Sequence, residues 1–318
     1  MLFSLGVLKN KKILITGGTG FFGKNLCEYL NYLNNTHHLN LKIYVMARRE
    51  EILPGVEFIQ QDLTKEIKTH LQFEYIIHAA TPVVYDHSSN EEILNIIING
   101  TQNICEFAKK TKCKKILIVS SGAVYGTQPD DMEFIDEEYF REVPIYDSKN
   151  AYATGKRASE IIARNILRDS ETDFSIARGF AFSGKYLAFD QHFALGNFIR
   201  DAVDTKVIKI KGDGLAIRSY MDSEDLYTWV VAILLLGKNL NAYNLGSEDA
   251  ISIKDLAYKV ASFVPGASVE IQNLTGHNIK KNRYVPSIKK ARKDLGLELT
   301  VSLDQSIKKM IQFYKELK

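Results

Sequence analysis

Cysteine is scarce. Cys27, Cys105 and Cys113 are the three in 318 residues, scattered and never in C-x-x-C spacing. An odd, dispersed set excludes a disulfide framework and a zinc site built on paired thiols, and fits a reducing compartment. Charge of one sign is also lacking: 41 Lys and Arg against 38 Asp and Glu leave +3. That is too balanced for a chain binding nucleic acid by phosphate neutralisation. Long hydrophobic runs are missing. The longest, Trp229 to Leu236, spans eight residues, against the roughly 20 needed to cross a bilayer. The opening MLFSLGVLKNKK does not read as a signal peptide, because its basic residues follow the apolar ones and glycine-rich sequence begins by Gly17. These absences predict a cytoplasmic protein with neither nucleic acid nor membrane as partner. There is no internal repeat, low-complexity tract or flexible linker.

What remains is a globular composition, 45% hydrophobic and 25% charged, in a chain long enough for about two domains or one large domain with an added lobe. The first 180 residues alternate short β-rich runs with amphipathic stretches. Strands are predicted at 11–16, 41–47, 56–60, 74–80, 114–121 and 173–178, and helices at 21–33, 91–110 and 150–168. Such alternation implies a parallel sheet covered on both faces. After Arg178 glycine and aromatic residues become frequent. The predicted fold class is α/β, a Rossmann-type doubly wound sheet over 1–178, to which part of 204–240 returns, with a smaller α/β lobe over 179–318. Packed lobes leave a cleft between them, where ligands bind.

The first strand runs into TGGTGFFG, residues 16–23. Gly17, Gly20 and Gly23 fit a tight turn, a close approach of backbone to a pyrophosphate and a helix packed hard on its strand, with the helix N-terminus facing the phosphates. This placement predicts dinucleotide binding. The second strand ends in Ala47-Arg48-Arg49. No acid sits at its tip to bond ribose hydroxyls, and arginine suits a 2′-phosphate. NADP(H) is therefore favoured, NAD(H) is possible, and a solvated basic strand end is the plain alternative. Asp62 is placed to accept from the adenine amino group or to cap the next helix. His78-Ala79-Ala80-Thr81 closes the fourth strand. Its small residues let backbone lie against the cofactor, and His78 reads as a packed histidine.

Tyr152 and Lys156, four apart on one helix, share a face. An ammonium beside a phenol favours the phenolate and lowers its pKa, fitting the phenol for proton exchange with a sugar oxygen. Ser121, ending the fifth strand, is positioned to hold that oxygen.

With these parts in hand, the chain resembles an extended short-chain dehydrogenase/reductase of the NAD-dependent epimerase/dehydratase family, which acts on nucleotide sugars. The resemblance rests on TGGTGFFG, QDL (61–63), HAA (78–80), SSGAVYG (120–126), YATGK (152–156), RSYMDSEDL (218–226), YNLGS (243–247) and RYVPSIKKARKDLGL (283–297). It implies Ser121, Tyr152 and Lys156 as the catalytic trio. It implies cofactor contacts from Gly17, Thr19, Gly20, Phe21, Phe22, Gly23, Arg48, Asp62, Leu63, Ala79 and Ala80, beside Tyr152 and Lys156. For the nucleotide-diphosphate sugar it implies Asn197, Arg218 and Arg283 beside Ser121 and Tyr152, with no metal. A homodimer through helices near 91–112 and 150–168, forming a four-helix bundle, is also implied.

Two departures stand out. Ile97 occupies the asparagine position of the usual N-x-x-G-T, so a structural hydrogen bond there is absent or re-routed. Gly122-Ala123 occupies the place where 4,6-dehydratases carry acids. With Arg48-Arg49, this favours a reductase of a 4-keto-6-deoxyhexose. A 4-epimerase is the alternative, a dehydratase or decarboxylase ranks lower, and a non-catalytic NADP sensor is remote. The acidic run 130–139 reads as a solvated loop over the cleft rather than a metal site. His192 reaches either the sugar or its own loop.

Overall fold

The computed structural model describes residues 5–81, 89–144, 147, 150–191, 193–272 and 282–318. Seven strands form the main sheet: β1 (Lys12–Thr16), β2 (Lys42–Ala47), β3 (Val56–Gln60), β4 (Tyr75–His78), β5 (Lys115–Ser121), β6 (Asp173–Gly179) and β11 (Ala242–Leu245). Their order is β3-β2-β1-β4-β5-β6-β11, and every pairing is parallel. Parallel neighbours need crossovers; β2 and β3 are joined without a helix, and helices supply the others. These are α1 (Phe21–His37), α2 (Asn90–Lys110), α3 (Ala151–Leu167) and, before β11, α5 (Ser223–Leu236).

Alternate residues of each strand feed two apolar layers. Ile13 and Ile15 of β1 join Leu26, Leu30 and Leu33 of α1 on one face, with α5 alongside. Leu14 faces the other way, into Ile104 and Phe107 of α2 and Ala163 and Leu167 of α3. A strand covered on both faces needs apolar residues at every position, which is why these strands read as unbroken runs. The eight-residue apolar run lies in α5, where Trp229 to Leu234 are all buried. A helix apolar all round belongs inside. Among the described residues no helix is long and apolar enough to cross a membrane.

On one face α2 and α3 pack together. A Cβ on Gly155 of α3 would stand 3.2 Å from Ile97 Cδ1 and 3.3 Å from Leu94 Cδ2, so glycine sets their close approach. A capping box starts α2, with Ser89 accepting from the Glu92 N–H and the Glu92 carboxylate accepting from the Ser89 N–H. Ile161, on α3, remains 60% exposed.

The smaller lobe is built after β7 (Phe182–Ser183) from α4 (Ala194–Asp204), β8 (Val207–Ile210) and β9 (Ile217–Ser219). The chain returns through β10 (Met221–Asp222), α5 and β11. It then adds β12 (Ala250–Ser252), α6 (Ile253–Ser262), β13 (Ser268–Ile271), β14 (Arg283–Tyr284), α7 (Lys289–Leu295) and α8 (Leu303–Glu316). β13 pairs with β8, and β9 lies between β12 and β14. Leu195, Ile199, Ile208, Leu256, Val260, Ile307 and Met310 form this lobe's core.

Candidate active site

At the mouth of β1 the glycines are required by space. Gly17 has φ +72°, and a Cβ there would lie 2.8 Å from backbone atoms of Ala80. A Cβ on Gly23 would lie 2.2 Å from Gly18 Cα. Gly20 caps α1 without a side-chain hydrogen bond, so the first backbone N–H groups of the helix have no side-chain acceptor. A bare, closely packed helix N-terminus fits a pyrophosphate. The residues therefore suit a dinucleotide: Gly17, Gly20 and Gly23 would hold its phosphates, while Ala79 and Ala80 present backbone and methyl groups beside them. Thr19 is half-buried. Phe21 and Phe22 turn towards packing, Phe22 meeting Phe182 edge to face at 5.2 Å. Leu63 is buried in the α2 layer, and its carbonyl accepts from Asn103 Nδ2 at 2.8 Å.

Arg48 and Arg49 are exposed at the tip of β2. Arg48 acts on Asp62. Burial works against the Asp62 charge, but hydrogen bonds from the Thr64 N–H and hydroxyl, both 2.9 Å, and the Arg48 charge hold its carboxyl below the usual range. Asp62 thus closes a local turn with Thr64. His78 is buried. Thr16 Oγ1 lies 2.8 Å from its Nδ1, and Thr101 Oγ1 lies 3.3 Å from its Nε2. Thr101 donates its proton to the Ile97 carbonyl at 2.7 Å, so Nε2 donates and Nδ1 accepts. Burial first, then the Lys156 charge, push the imidazole down to about 3. It is a packed, neutral histidine. Thr16, His78, Thr101 and the Ile97 carbonyl thus form one hydrogen-bonded chain beside Ile97.

The catalytic corner forms where β5 ends against α3. Ser121, Tyr152 and Tyr284 line a cavity of about 420 Å³ with Ala123, Thr127, Glu142, Val143 and Asn150. The Ser121 hydroxyl accepts from the Ala123 N–H at 3.1 Å. Lys156 is buried, and its ammonium donates to Thr81 Oγ1 at 2.6 Å and to the Val119 carbonyl at 2.9 Å. It stands 5.9 Å from the Tyr152 ring centre. Burial pushes Lys156 down to about 8, with Glu160 opposing. Burial raises Tyr152, and a hydrogen bond from Ser121 opposes that rise. The expected lowering of the phenol by the ammonium is therefore not the balance in this structure. Lys156 is turned to Thr81 and Val119, and burial sets the direction for Tyr152. Sequence reasoning passed over Thr81 as a lysine anchor and Tyr284 as a cavity residue. Their signals were their places beside HAA and in RYVP.

Several motif residues prove to be structural. Glu160 forms a two-point ion pair with Arg178, closest at 2.8 Å, and accepts from Ser120 at 2.5 Å. Arg178 donates to the Tyr125 hydroxyl at 2.9 Å, which donates to Asn244 Oδ1 at 2.7 Å. Asn244 in turn donates to the carbonyls of Ile135 and Ser287. This buried network ties SSGAVYG, YNLGS and RYVPS together. It also corrects the expectation of a solvated loop at 130–139. Ile135 is fully buried, bonds to Val285 and Ser287, and Glu137 accepts from the Asn244 N–H. The outer acids remain exposed.

In the smaller lobe Asn197 borders a cavity of about 850 Å³ with Arg200, Lys209, Lys211 and Asp213. Its Nδ2 donates to the Gln191 carbonyl at 2.6 Å. Register places Arg218 opposite Tyr284 and Arg283 opposite Ile217, so the two arginines occupy different faces of the strand pair. Arg218 donates to the carbonyls of Ile217 and Asn282 and lies 5.9 Å from the Tyr284 ring. Arg283 Nε donates to the Glu133 carbonyl at 2.7 Å. His192 lies outside the described residues.

A doubly wound sheet with a glycine cradle at β1 and a serine–tyrosine–lysine corner at β5 and α3 defines a dinucleotide-binding protein of the extended short-chain dehydrogenase/reductase kind. The model of the NAD dependent epimerase/dehydratase family matches residues 13–246, and the chain belongs to that family of enzymes acting on nucleotide sugars. It is similar to UDP-glucuronic acid decarboxylase 2 of Arabidopsis thaliana, 27% identical over 316 residues, 97% of this chain and 69% of the relative. In fold it is similar to the UDP-glucose 4-epimerase of Thermotoga maritima solved with UDP-glucose, at 20% identity and TM-score 0.81, covering 96% of this chain and 100% of that one. It is also similar to DesIV of Streptomyces venezuelae, a dTDP-glucose 4,6-dehydratase solved with NAD, at 20% identity and TM-score 0.80, covering 96% and 97%.

Proposed function

We propose that the chain carries out oxidoreduction at C4 of a nucleotide-diphosphate hexose, as a reductase of a 4-keto-6-deoxy sugar that prefers NADP(H). The observation that carries this reading is the wall of the catalytic cavity beside Ser121. A Cβ on Gly122 would lie 2.5 Å from the Tyr284 hydroxyl and 2.7 Å from the Phe180 ring, and Ala123 offers no titratable group. Position 122 therefore has no room for an acidic side chain, and position 123 carries only a methyl group. That favours chemistry confined to C4.

A nicotinamide cofactor, held by the glycine cradle, would supply hydride chemistry at C4. Tyr152 gives its proton to the C4 oxygen, Ser121 holds that oxygen, and Lys156 supports the ribose side of the site. The charge on the oxygen develops in a partly dry corner, where fixed donors act strongly. Arg48 and Arg49 support NADP(H) by charge and exposure. Asn197, Arg218 and Arg283 are assigned to the diphosphate. A homodimer through α2 and α3 is part of this reading, favoured by Ile161 on the outer side of α3. Cytoplasmic location follows from the reducing-compartment composition.

A self-recycling 4-epimerase is the second reading, favoured by the same absence of an acid at positions 122 and 123. The experiment is an absorbance assay of NADPH, then NADH, with a nucleotide-linked 4-keto-6-deoxyglucose. Stoichiometric NADPH oxidation supports the reductase. No oxidation of either, with NAD released on denaturation, replaces it with the epimerase.

A further inference from the structure

The ladder between β4 and β5 ends at His78 and Ile118. Beyond it the two strands part. β5 runs on beside β6 to Ser121. The chain after β4 turns to β1, where the Ala79 N–H donates to the Thr16 carbonyl and the Ala80 N–H to Thr16 Oγ1, both at 3.2 Å. The Lys156 ammonium bridges the parting. It donates to Thr81 Oγ1 at 2.6 Å on the β4 side and to the Val119 carbonyl at 2.9 Å on the β5 side. An ammonium has three protons to give, so these two bonds fix the direction of the third. Lys156 is 5% exposed, and a buried ammonium keeps its charge only where acceptors face it.

The neighbouring groups do not replace these acceptors. Glu160, one turn further along α3, divides its carboxylate between Arg178 and Ser120. His78 is neutral. Tyr152 presents its ring at 5.9 Å. The Val119 carbonyl is backbone and is present whatever residue stands there. Among the described residues Thr81 is the one side chain hydrogen-bonded to the ammonium.

We propose that Thr81 is a positioning residue for the catalytic lysine: its hydroxyl, with the Val119 carbonyl, holds the Lys156 ammonium charged and aimed at the point where the dinucleotide cradle ends. Ala80 packs against Gly17 and Thr81 follows it directly, so one short segment, 79–81, serves both the cradle and the lysine. Burial pushes Lys156 down to about 8, with Glu160 opposing. That is close enough to neutrality for the loss of one acceptor to remove much of the charge. An uncharged amine no longer supports the phenolate that Tyr152 becomes when it gives up its proton.

The inference deepens the C4 reading and rests on it for its kinetic test; a titration stands apart from it. Thr81→Val keeps the shape and removes the hydroxyl, Thr81→Ala removes it without filling its place, and Thr81→Ser retains it. In cofactor-free protein carrying 13C-labelled lysine, the Lys156 signal is assigned as the one lost in Lys156→Met. It should titrate about one pH unit lower in Thr81→Val and Thr81→Ala, the worth of one hydrogen bond to a charged group, and with the wild type in Thr81→Ser. With NADPH and a nucleotide-linked 4-keto-6-deoxyglucose as probe, the ratio of wild-type to Thr81→Val kcat should grow from its smallest value at pH 6 to about tenfold at pH 9, as the variant loses its ammonium first. The KM for the sugar should stay within about twofold. A Lys156 titration unmoved in both hydroxyl-free variants overturns the proposal, because a packing role leaves that titration in place. A Thr81→Ser titration as low as that of Thr81→Val overturns it too, as does a loss of kcat equal at every pH. If the wild type does not turn over the probe, the C4 reading fails while the lysine titration still decides on Thr81.

Discussion

At the dinucleotide end of the cleft the site depends on side chains that are missing, and at the sugar end on side chains crowded around one hydroxyl. Gly17 and Gly23 let the chain after β1 meet the ends of β4 and α1 at distances that no Cβ permits. The groups offered to a dinucleotide there would be backbone N–H donors, fixed by the fold itself. At the other end Ser121 of β5, Tyr152 and Lys156 of α3 and Tyr284 of β14 come from three places in the chain, and desolvation leads the shifts of the two phenols and the ammonium. The first end tolerates no added atom. The second tolerates no lost proton donor. A substitution at one end should therefore fail in a way that leaves the other end measurable.

Tyr152→Phe gives the largest effect and separates the two ends most cleanly. Turnover should fall about 100- to 10,000-fold, the range for losing a general acid, while calorimetric titration shows cofactor affinity unchanged. A comparable loss of cofactor binding would break the comparison. Gly23→Ala is the converse. The clash with Gly18 should lower the unfolding free energy by about 1–3 kcal/mol and abolish cofactor binding in the same titration. Retained binding would show that the glycines serve packing alone.

Lys156→Met sharpens the second half. The folded protein penalises this buried ammonium, whose pKa falls from 10.5 to about 8. Below about pH 8 both folded and unfolded states carry the proton, so the penalty is full. Between pH 8 and 10.5 the unfolded state binds more protons, and the wild type gains stability as pH rises. The methionine variant should therefore be more stable than wild type near neutrality, by about 1–3 kcal/mol after allowing for the lost bonds to Thr81 and Val119. Denaturant unfolding at several pH values should show the advantage shrinking above pH 8, and a destabilised variant would count against the account. The smallest effect belongs to Arg48→Ser, which should lower the preference for NADPH over NADH about tenfold, roughly one exposed charged contact with a phosphate, read as the ratio of kcat/KM values.

The sequence was legible where structure and chemistry were local. β3 lies over 56–60 as expected, because its alternation and flanking turns lie within a few residues, and β1, β2 and β5 begin one residue later than read. The glycine cradle was legible for the same reason, since its geometry is fixed inside eight residues. Tyr152 and Lys156 share a helix face by spacing alone. The smaller lobe was not legible in detail. Strands such as Phe182–Ser183 and Arg283–Tyr284 are two residues long, too short for any period to show. Tyr284 was hidden beside an arginine that attracted the functional reading. Its place in the cavity depends on a strand pairing and on the empty space above Gly122, and neither can be read from spacing. The acidic run 130–139 misled because its charges are visible and the burial of Ile135 between them is not.

The central claim is that Ser121, Tyr152 and Lys156 serve redox chemistry at C4 and nowhere else on the sugar. The most direct measurement uses NADPH carrying deuterium at the transferable position, with a nucleotide-linked 4-keto-6-deoxyglucose, and locates the label by NMR of the product. The account predicts deuterium at C4 in the wild type and no labelled product from Tyr152→Phe. Label absent from C4, or solvent hydrogen entering at C5 in deuterated water, would contradict it.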